Sequence, residues 1–364
     1  MLFDTPQMND LLQKYDGQPD YAVPEVVILA RSPRFAGERT IIEAIFKSLP
    51  DTVRNDWGKR LICADHAQYK STWFQIMLLD WLNQLGHATP EPEILGNNPD
   101  FLVEVGDLKF VIEARAILIS DAERSQQFWV SEILWLLNHI EEPSIVIRVE
   151  VGELVSRIDA ASFLEQVTTW LHTAPETDFQ YKDRQGNCIK LTPLEQRERG
   201  GVATVGPSSS FWVDSSKLKN PLREKASQHK AIRESEYPYL IAMYLEDEVY
   251  SGIEVVESWF GRQTFIVDTL TATVVDQRLD MSGIHYWRQE IRHRTVSGTL
   301  VFRGVFDERQ KRRVLQSWYI QNPYATKPVD PGLFPVWARF VVKSQTGEHF
   351  QMGWESDAIQ EAGL

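Results

Sequence analysis

Two acidic residues and one basic residue lie in a short stretch whose spacing could bring them together. Asp100 stands directly before the apolar run FLVEV, and Glu113 and Arg115 lie in the following run KFVIEARA. Side chains alternate between the two faces of a strand, so Glu113 and Arg115 point to the same face. The Gly106-Asp107 dipeptide between the runs predicts a tight hairpin, which places Asp100 close to both.

Two carboxylates on one face repel each other unless a cation lies between them. Their hard oxygen ligands suit Mg²⁺ or Mn²⁺, and a metal ion there could activate a water molecule and neutralise a phosphate group. The alternative is an ordinary surface, in which Glu113 and Arg115 form an exposed charge pair and Asp100 caps a turn. Both acids fall within apolar strands, where an unpaired carboxylate would be costly. This position favours a metal site over an ordinary surface.

The elements that must position this hairpin alternate between helices and strands. Apolar residues at helical spacing predict a helix from Ser71 to Leu85, and a second helix is predicted over 122–139. A strand is predicted over 144–149, and the continuous apolar run 239–245 is typical of a central strand. This alternation predicts an α/β fold, a mixed sheet with helices on its faces.

This pattern divides the chain into three predicted segments. Residues 1–65 form an N-terminal segment with no assigned role, residues 66–250 form the core, and residues 251–364 form a C-terminal α/β extension. Within the core, residues 173–215 are polar and rich in Gly, Ser and Thr, which predicts a long inserted loop.

The net charge of −13 argues against a protein that coats nucleic acid along its whole surface. A local basic run nevertheless extends from Lys217 through Arg223 and Lys225 to Lys230 and Arg233. Such a run can contact a nucleic-acid backbone or form a solvated helix face, and both interpretations stay open.

Cysteine usage and hydropathy predict the cellular compartment of the protein. Cys63 and Cys188 lie far apart with no CxxC spacing, which predicts a reducing compartment and no disulfide. The first residues contain no signal-peptide pattern, and no apolar run approaches the roughly 18 residues that span a bilayer. We therefore expect a cytoplasmic protein with no membrane partner.

The segment WFQIMLLDWLNQLGH…NNPDFLVEVGDLKFVIEAR resembles the core of the PD-(D/E)XK, or restriction endonuclease-like, nuclease superfamily. In that family a helix with a Glu is followed by P-D on one strand and (D/E)-x-K on the next. More narrowly, the chain resembles an uncharacterised bacterial branch, since KASQHK, YPYLIA and NPYA follow in the expected order. The resemblance covers roughly residues 70–330. It implies a restriction endonuclease-like sheet and metal-dependent hydrolysis of DNA, with defence against foreign DNA as a role.

The resemblance also assigns roles to single residues. Asp100 and Glu113 match the metal-binding acids, and the backbone carbonyl of Ala114 would be a further ligand. Arg115 stands where the family has Lys, and it can hold a phosphate but cannot be deprotonated to act as a base. Gln75 stands where the helix has Glu, so it can bond a metal-bound water but adds no charge for a second metal.

Two further residues could compensate for these departures. Lys225 and Gln228 lie three positions apart on a helix predicted over 221–235, hence on one face. With Lys217, Arg223 and Lys230 they are the candidate nucleic-acid contacts.

The departures also leave alternatives open. The chain could be an inactive nuclease-like module that binds nucleic acid, or a scaffolding subunit of a larger complex. RNA stays open as a substrate, and so do a homodimer and protein partners in a multi-subunit system.

Overall fold

The computed structural model describes residues 2–152, 154–196, 201–205, 216–228, 230–246, 252–261, 263–268, 273–279, 282–287, 290–346 and 349–356. The chain is mixed α/β, as predicted, and its sheets are flanked by helices. It divides into two compact units. Unit 1 consists of residues 1–17, 24–118 and 213–364, and unit 2 consists of residues 18–23 and 119–212. Within the described residues, no helix combines the length and the hydropathy that crossing a membrane requires.

The helices fall mainly in the first half of the chain. They are α1 Pro6–Lys14, α2 Glu25–Arg31, α3 Ala36–Ser48, α4 Asp51–Leu61, α5 His66–Asn83, α6 Asp121–Asn138, α7 Ala160–Thr173, α8 Ser216–Ser227, α9 Lys230–Glu234 and α10 Gly252–Phe260.

The strands form two larger sheets and two short hairpins. They are β1 His87–Pro90, β2 Phe101–Val105, β3 Leu108–Ile117, β4 Ile145–Val151, β5 Phe179–Lys182, β6 Cys188–Gln196, β7 Val202–Val205, β8 Tyr239–Leu245, β9 Gln263–Asp268, β10 Thr273–Leu279, β11 Tyr286–Trp287, β12 Glu290–Ile291, β13 Val296–Asp307, β14 Arg312–Gln321, β15 Ala338–Thr346 and β16 His349–Ser356.

Unit 1 is built on an eight-stranded sheet with the order β1-β2-β3-β8-β13-β14-β15-β16. β3 pairs antiparallel with β2 and parallel with β8, so the sheet is mixed. Every residue of β8 is buried, which confirms the predicted central strand. Residues 251–364, predicted as a C-terminal α/β extension, contribute strands to this sheet, because β13 pairs directly with β8 and β14–β16 continue it.

The predicted hairpin is confirmed. β2 and β3 pair in the register Phe101↔Ile112, and Gly106 turns between them with φ 59°. This left-handed conformation carries no steric cost for glycine. Helix α5 packs against β3 and begins at His66, earlier than the predicted start at Ser71. The Asp65 side chain caps it by accepting the Gln68 backbone N–H, and this capped first turn lies before the apolar periodicity begins.

Unit 2 overturns one prediction. The segment 173–215, predicted as a loop, contains β5, β6 and β7, which form a four-stranded sheet with β4 in the order β5-β6-β4-β7. Ile189 and Leu191 of β6 are fully buried in one apolar cluster with residues of α6 and α7, while Lys190 between them is polar. β4 therefore belongs to this second sheet and not to the sheet of the hairpin. Residues 197–200 and 206–215 lie outside the described part of the chain.

Candidate functional site

Asp100 is held at the start of β2 by a helix and a neighbouring strand. Its Oδ1 accepts a hydrogen bond from Gln75 Nε2 of α5 at 2.8 Å. Its Oδ2 accepts the backbone N–H of Ala114 in β3, also at 2.8 Å. The carboxylate therefore has a defined orientation, with Gln75 of α5 beside it.

Lys225 completes the cluster from the other side. Its Nζ lies 2.6 Å from Glu113 Oε2 and 3.3 Å from Asp100 Oδ2, although the three residues are far apart in sequence. The Tyr239 hydroxyl donates to the Lys225 backbone carbonyl at 3.0 Å and so ties α8 to β8. A positive charge does lie between the two acids, and in this structure the ammonium of Lys225 supplies it.

Burial and charge set the protonation of this cluster. Glu113 is 2 % exposed, and burial together with the nearby Asp100 carboxylate raises its pKa to about 8, although Lys225 acts in the opposite direction. Burial opposes the charge on Lys225, but Asp100 and Glu113 outweigh this effect and raise the pKa of the ammonium. Lys225 is therefore charged at neutral pH, and the Glu113 carboxyl is largely protonated there.

A cavity of about 190 Å³ opens onto the cluster. Gln75, Asp100, Ala114, Arg115 and Lys225 line it, together with Ser71 and Phe74 of α5. The Arg115 guanidinium is 47 % exposed and lies 3.7 Å from Glu224 of α8, so its charge remains accessible at the cavity wall. The structure thus brings together all five residues of the predicted chemical site: Gln75, Asp100, Glu113, Ala114 and Arg115.

Most of the residues predicted to contact nucleic acid lie away from the two acids. Lys217 and Arg223 are exposed on α8, and Lys230 is exposed on α9 with its Nζ 3.8 Å from Glu234. The segment predicted as one helix over 221–235 lies in two helices, because α8 ends at Ser227 and α9 begins at Lys230. Gln228 lies between them, and no hydrogen bond between described residues links it to Asp100 or Glu113. Lys225 alone of this group reaches the acids.

The structure contains a second group of possible metal ligands that the sequence did not predict. Glu25, His66 and Glu246 approach one another closely enough to hold a metal ion, and His66 Nε2 lies 2.7 Å from Glu246 Oε1. Lys70 Nζ lies 2.7 Å from Glu25 Oε2, and Arg313 also contacts Glu25. Lys70 and Arg313 therefore place two cations beside the acids of this group. No sequence signal indicates it, because His66 and Glu246 are 180 positions apart.

Comparisons with known proteins identify no relative of this chain. No protein-family model, no curated protein and no solved structure matches it. What the site does must therefore be inferred from its own residues.

Proposed function

We propose that this chain is a metal-dependent nuclease with a restriction endonuclease-like core, which hydrolyses phosphodiester bonds in DNA. One observation carries the proposal. Gln75 of α5, Asp100 before β2 and Lys225 of α8 line one cavity, and Glu113 of β3 lies directly behind them, with its Oε2 2.6 Å from Lys225 Nζ. Acids that can hold a divalent ion, with a positioned cation beside them, can stabilise the negative charge that develops in phosphoryl transfer.

The donor set fits a small divalent ion. The oxygens of Asp100 and Glu113, with the carbonyl of Ala114, would hold Mg²⁺ or Mn²⁺, and these ions favour such oxygen ligands. The position of the Lys225 ammonium marks the place where the two acids attract a cation. When bound, the metal would supply Lewis-acid activation of a water molecule and of the phosphate.

The remaining roles belong to side chains of the site. Lys225, charged and 13 % exposed, stabilises negative charge that develops on a phosphate at the cavity. Gln75 keeps the Asp100 carboxylate oriented, and Arg115 at the wall can hold a neighbouring phosphate through its guanidinium. Glu113 takes up or releases a proton near neutral pH, since its pKa is raised to about 8.

A second candidate function is a nuclease-like module that binds nucleic acid without cutting it. The ammonium of Lys225 already neutralises the acids, and the raised pKa of Glu113 keeps that group largely protonated at neutral pH. Both features compete with a divalent ion for the same oxygens. This alternative predicts that the affinity for DNA changes neither with Mg²⁺ nor with substitution of Glu113.

A cleavage assay separates the two proposals. Supercoiled plasmid, single-stranded DNA and RNA are incubated with Mg²⁺ or Mn²⁺ and with the wild type, Asp100→Asn or Glu113→Gln. Asp107→Asn is the matched control, because Asp107 is exposed in the turn of the same hairpin. We expect both site variants to lose about a hundredfold or more in rate and the control to keep it. A wild type that binds these substrates but cleaves none of them would sink the catalytic proposal and leave the binding module.

A further inference from the structure

A larger cavity lies among the first helices, in the segment 1–65 that the sequence analysis left without a role. It has a volume of about 640 Å³ and is bounded by the start of the chain, α3 and α4. Pockets that enclose small ligands in proteins have volumes of about 300–1,000 Å³. The cavity shares no lining residue with the cavity at Asp100.

The floor of this cavity is apolar. Leu2 and Phe46 are both buried, and Ile62 is half-buried at the end of α4. These three side chains offer an aliphatic and aromatic surface to anything that enters. A ligand would therefore place an apolar part on this floor and remove it from water.

Gly58 keeps the floor open. It lies inside α4, where glycine destabilises a helix relative to alanine. An added Cβ would lie 3.5 Å from Phe46 Cε1 and 3.7 Å from Leu2 Cδ1, which are ordinary contact distances. Neither a left-handed backbone nor a steric clash requires glycine here, so the missing side chain leaves room over Leu2 and Phe46.

The rim of the cavity is positively charged. Lys47 and Lys59 are exposed at the rim, and neither makes an ion pair with another residue of the described ranges. Arg54 also lines the cavity, but its guanidinium bonds the carbonyls of Phe46 and Leu49. Glu43 is the one acid among the lining residues, and its Oε1 accepts the Phe3 backbone N–H. A net positive rim in a chain of net charge −13 favours an anion.

We propose that this cavity binds a small amphipathic carboxylate, a free molecule with one aliphatic chain of medium length. Its chain packs on Leu2, Phe46 and Ile62, and its carboxylate lies between the ammonium groups of Lys47 and Lys59. The shape of the floor and the charge of the rim come from different residues, so each can be tested separately. The proposal is independent of any chemistry at Asp100.

The test compares three probes of equal chain length by isothermal titration calorimetry, below their micellar concentrations. These are decanoate, decanol and decylamine, and the full chain is used without an N-terminal tag because Leu2 lines the cavity. We expect decanoate to bind at least tenfold more tightly than decanol and decylamine to bind most weakly. Equal affinity for decanoate and decylamine, or no binding of decanoate, would overturn the proposal.

Two sets of variants locate the bound probe. The double variant Lys47→Glu with Lys59→Glu is expected to weaken decanoate at least tenfold, whereas Lys182→Glu, an exposed lysine of unit 2, leaves its affinity unchanged. Gly58→Leu fills the floor and should abolish binding, with circular dichroism as the check of folding. If Gly58→Leu does not fold, Gly58→Ala replaces it in the test. Gly58→Ala should raise the melting temperature and should weaken the binding of decanoate several-fold. Unchanged decanoate affinity in the lysine double variant would contradict the proposed site.

Discussion

At the scale of single residues, Lys225 matters most to the proposed chemistry. Its ammonium is the partly buried charge that contacts both acids, 2.6 Å from Glu113 Oε2 and 3.3 Å from Asp100 Oδ2. Lys225→Met keeps most of the side-chain length but removes this charge. We expect cleavage to fall about a hundredfold or more, because a positioned charge at a phosphate contributes on that scale. The assay is plasmid cleavage beside Lys109→Met, an exposed lysine of β3 that is not among the candidate nucleic-acid contacts. Full activity in Lys225→Met would remove this residue from the site.

The raised pKa of Glu113 predicts how stability depends on pH. The folded protein keeps the Glu113 proton up to about pH 8, whereas the unfolded chain releases it near its ordinary value of 4.5. Between these values the folded state binds more protons, so this group's contribution to stability is fully present below pH 4.5 and is lost as pH rises through 8. The glutamine of the Glu113→Gln variant cannot lose a proton. The melting temperature of this variant relative to the wild type should therefore rise between pH 5 and pH 8. Parallel melting curves over that range would contradict the assignment.

At the scale of elements, a hydrogen bond from the central strand helps to hold helix α8 at the site. The Tyr239 hydroxyl of β8 bonds the carbonyl of Lys225, and Tyr239 is fully buried. Tyr239→Phe removes this bond and no charged group, so we expect a loss of about 1 kcal/mol in the free energy of unfolding. Cleavage should also slow, because Lys225 loses its anchor, while substrate binding changes little.

Tyr237→Phe is the matched control for this prediction. Tyr237 precedes the same strand, and its hydroxyl makes no hydrogen bond to any residue that the structure describes. Urea denaturation and steady-state cleavage should therefore match the wild type. If Tyr237→Phe and Tyr239→Phe behave alike, the contact does not position α8.

At the scale of the whole molecule, a buried ionic cluster joins the beginning of the chain to its last third. Glu38 of α3 is fully buried and accepts hydrogen bonds from the Arg313 backbone N–H at 2.9 Å and from Trp73 Nε1 at 2.7 Å. It also pairs with the Arg313 guanidinium. Residues 1–65 thus include part of the folded core of unit 1 and are not an appended segment.

Removing one partner of this cluster should be costly. Glu38→Ala leaves the buried Arg313 charge with less compensation, so we expect a loss of about 3–5 kcal/mol in the free energy of unfolding, measured with urea. Glu308→Ala breaks the exposed pair with Arg34, whose side chains are 65 % and 55 % exposed, and should cause no measurable loss. Equal stability of the two variants would show that Glu38 is not a core contact.

The sequence by itself determined the local parts of this protein. The Gly106 turn and the alternating runs around it predict the hairpin, because turn chemistry and side-chain period act over a few residues. Since Asp100 and Glu113 lie on its two arms, their approach follows from the same pattern. The buried run of β8 and the apolar stripe of α5 could be predicted for the same reason. The start of α5 at His66 was missed because a capped turn precedes the stripe.

Only the tertiary structure decided which distant residues meet. Lys225 is 112 positions from Glu113, and the choice of Lys225 over Gln228 depends on where α8 ends and packs. The strands of unit 2 were missed because β6 becomes a strand by pairing with β4, while half of its residues are polar. The pairing of His66 with Glu246 and the cavity around Gly58 have no sequence signal either. Such contacts depend on the packing of whole elements, and local propensity carries no information about that packing.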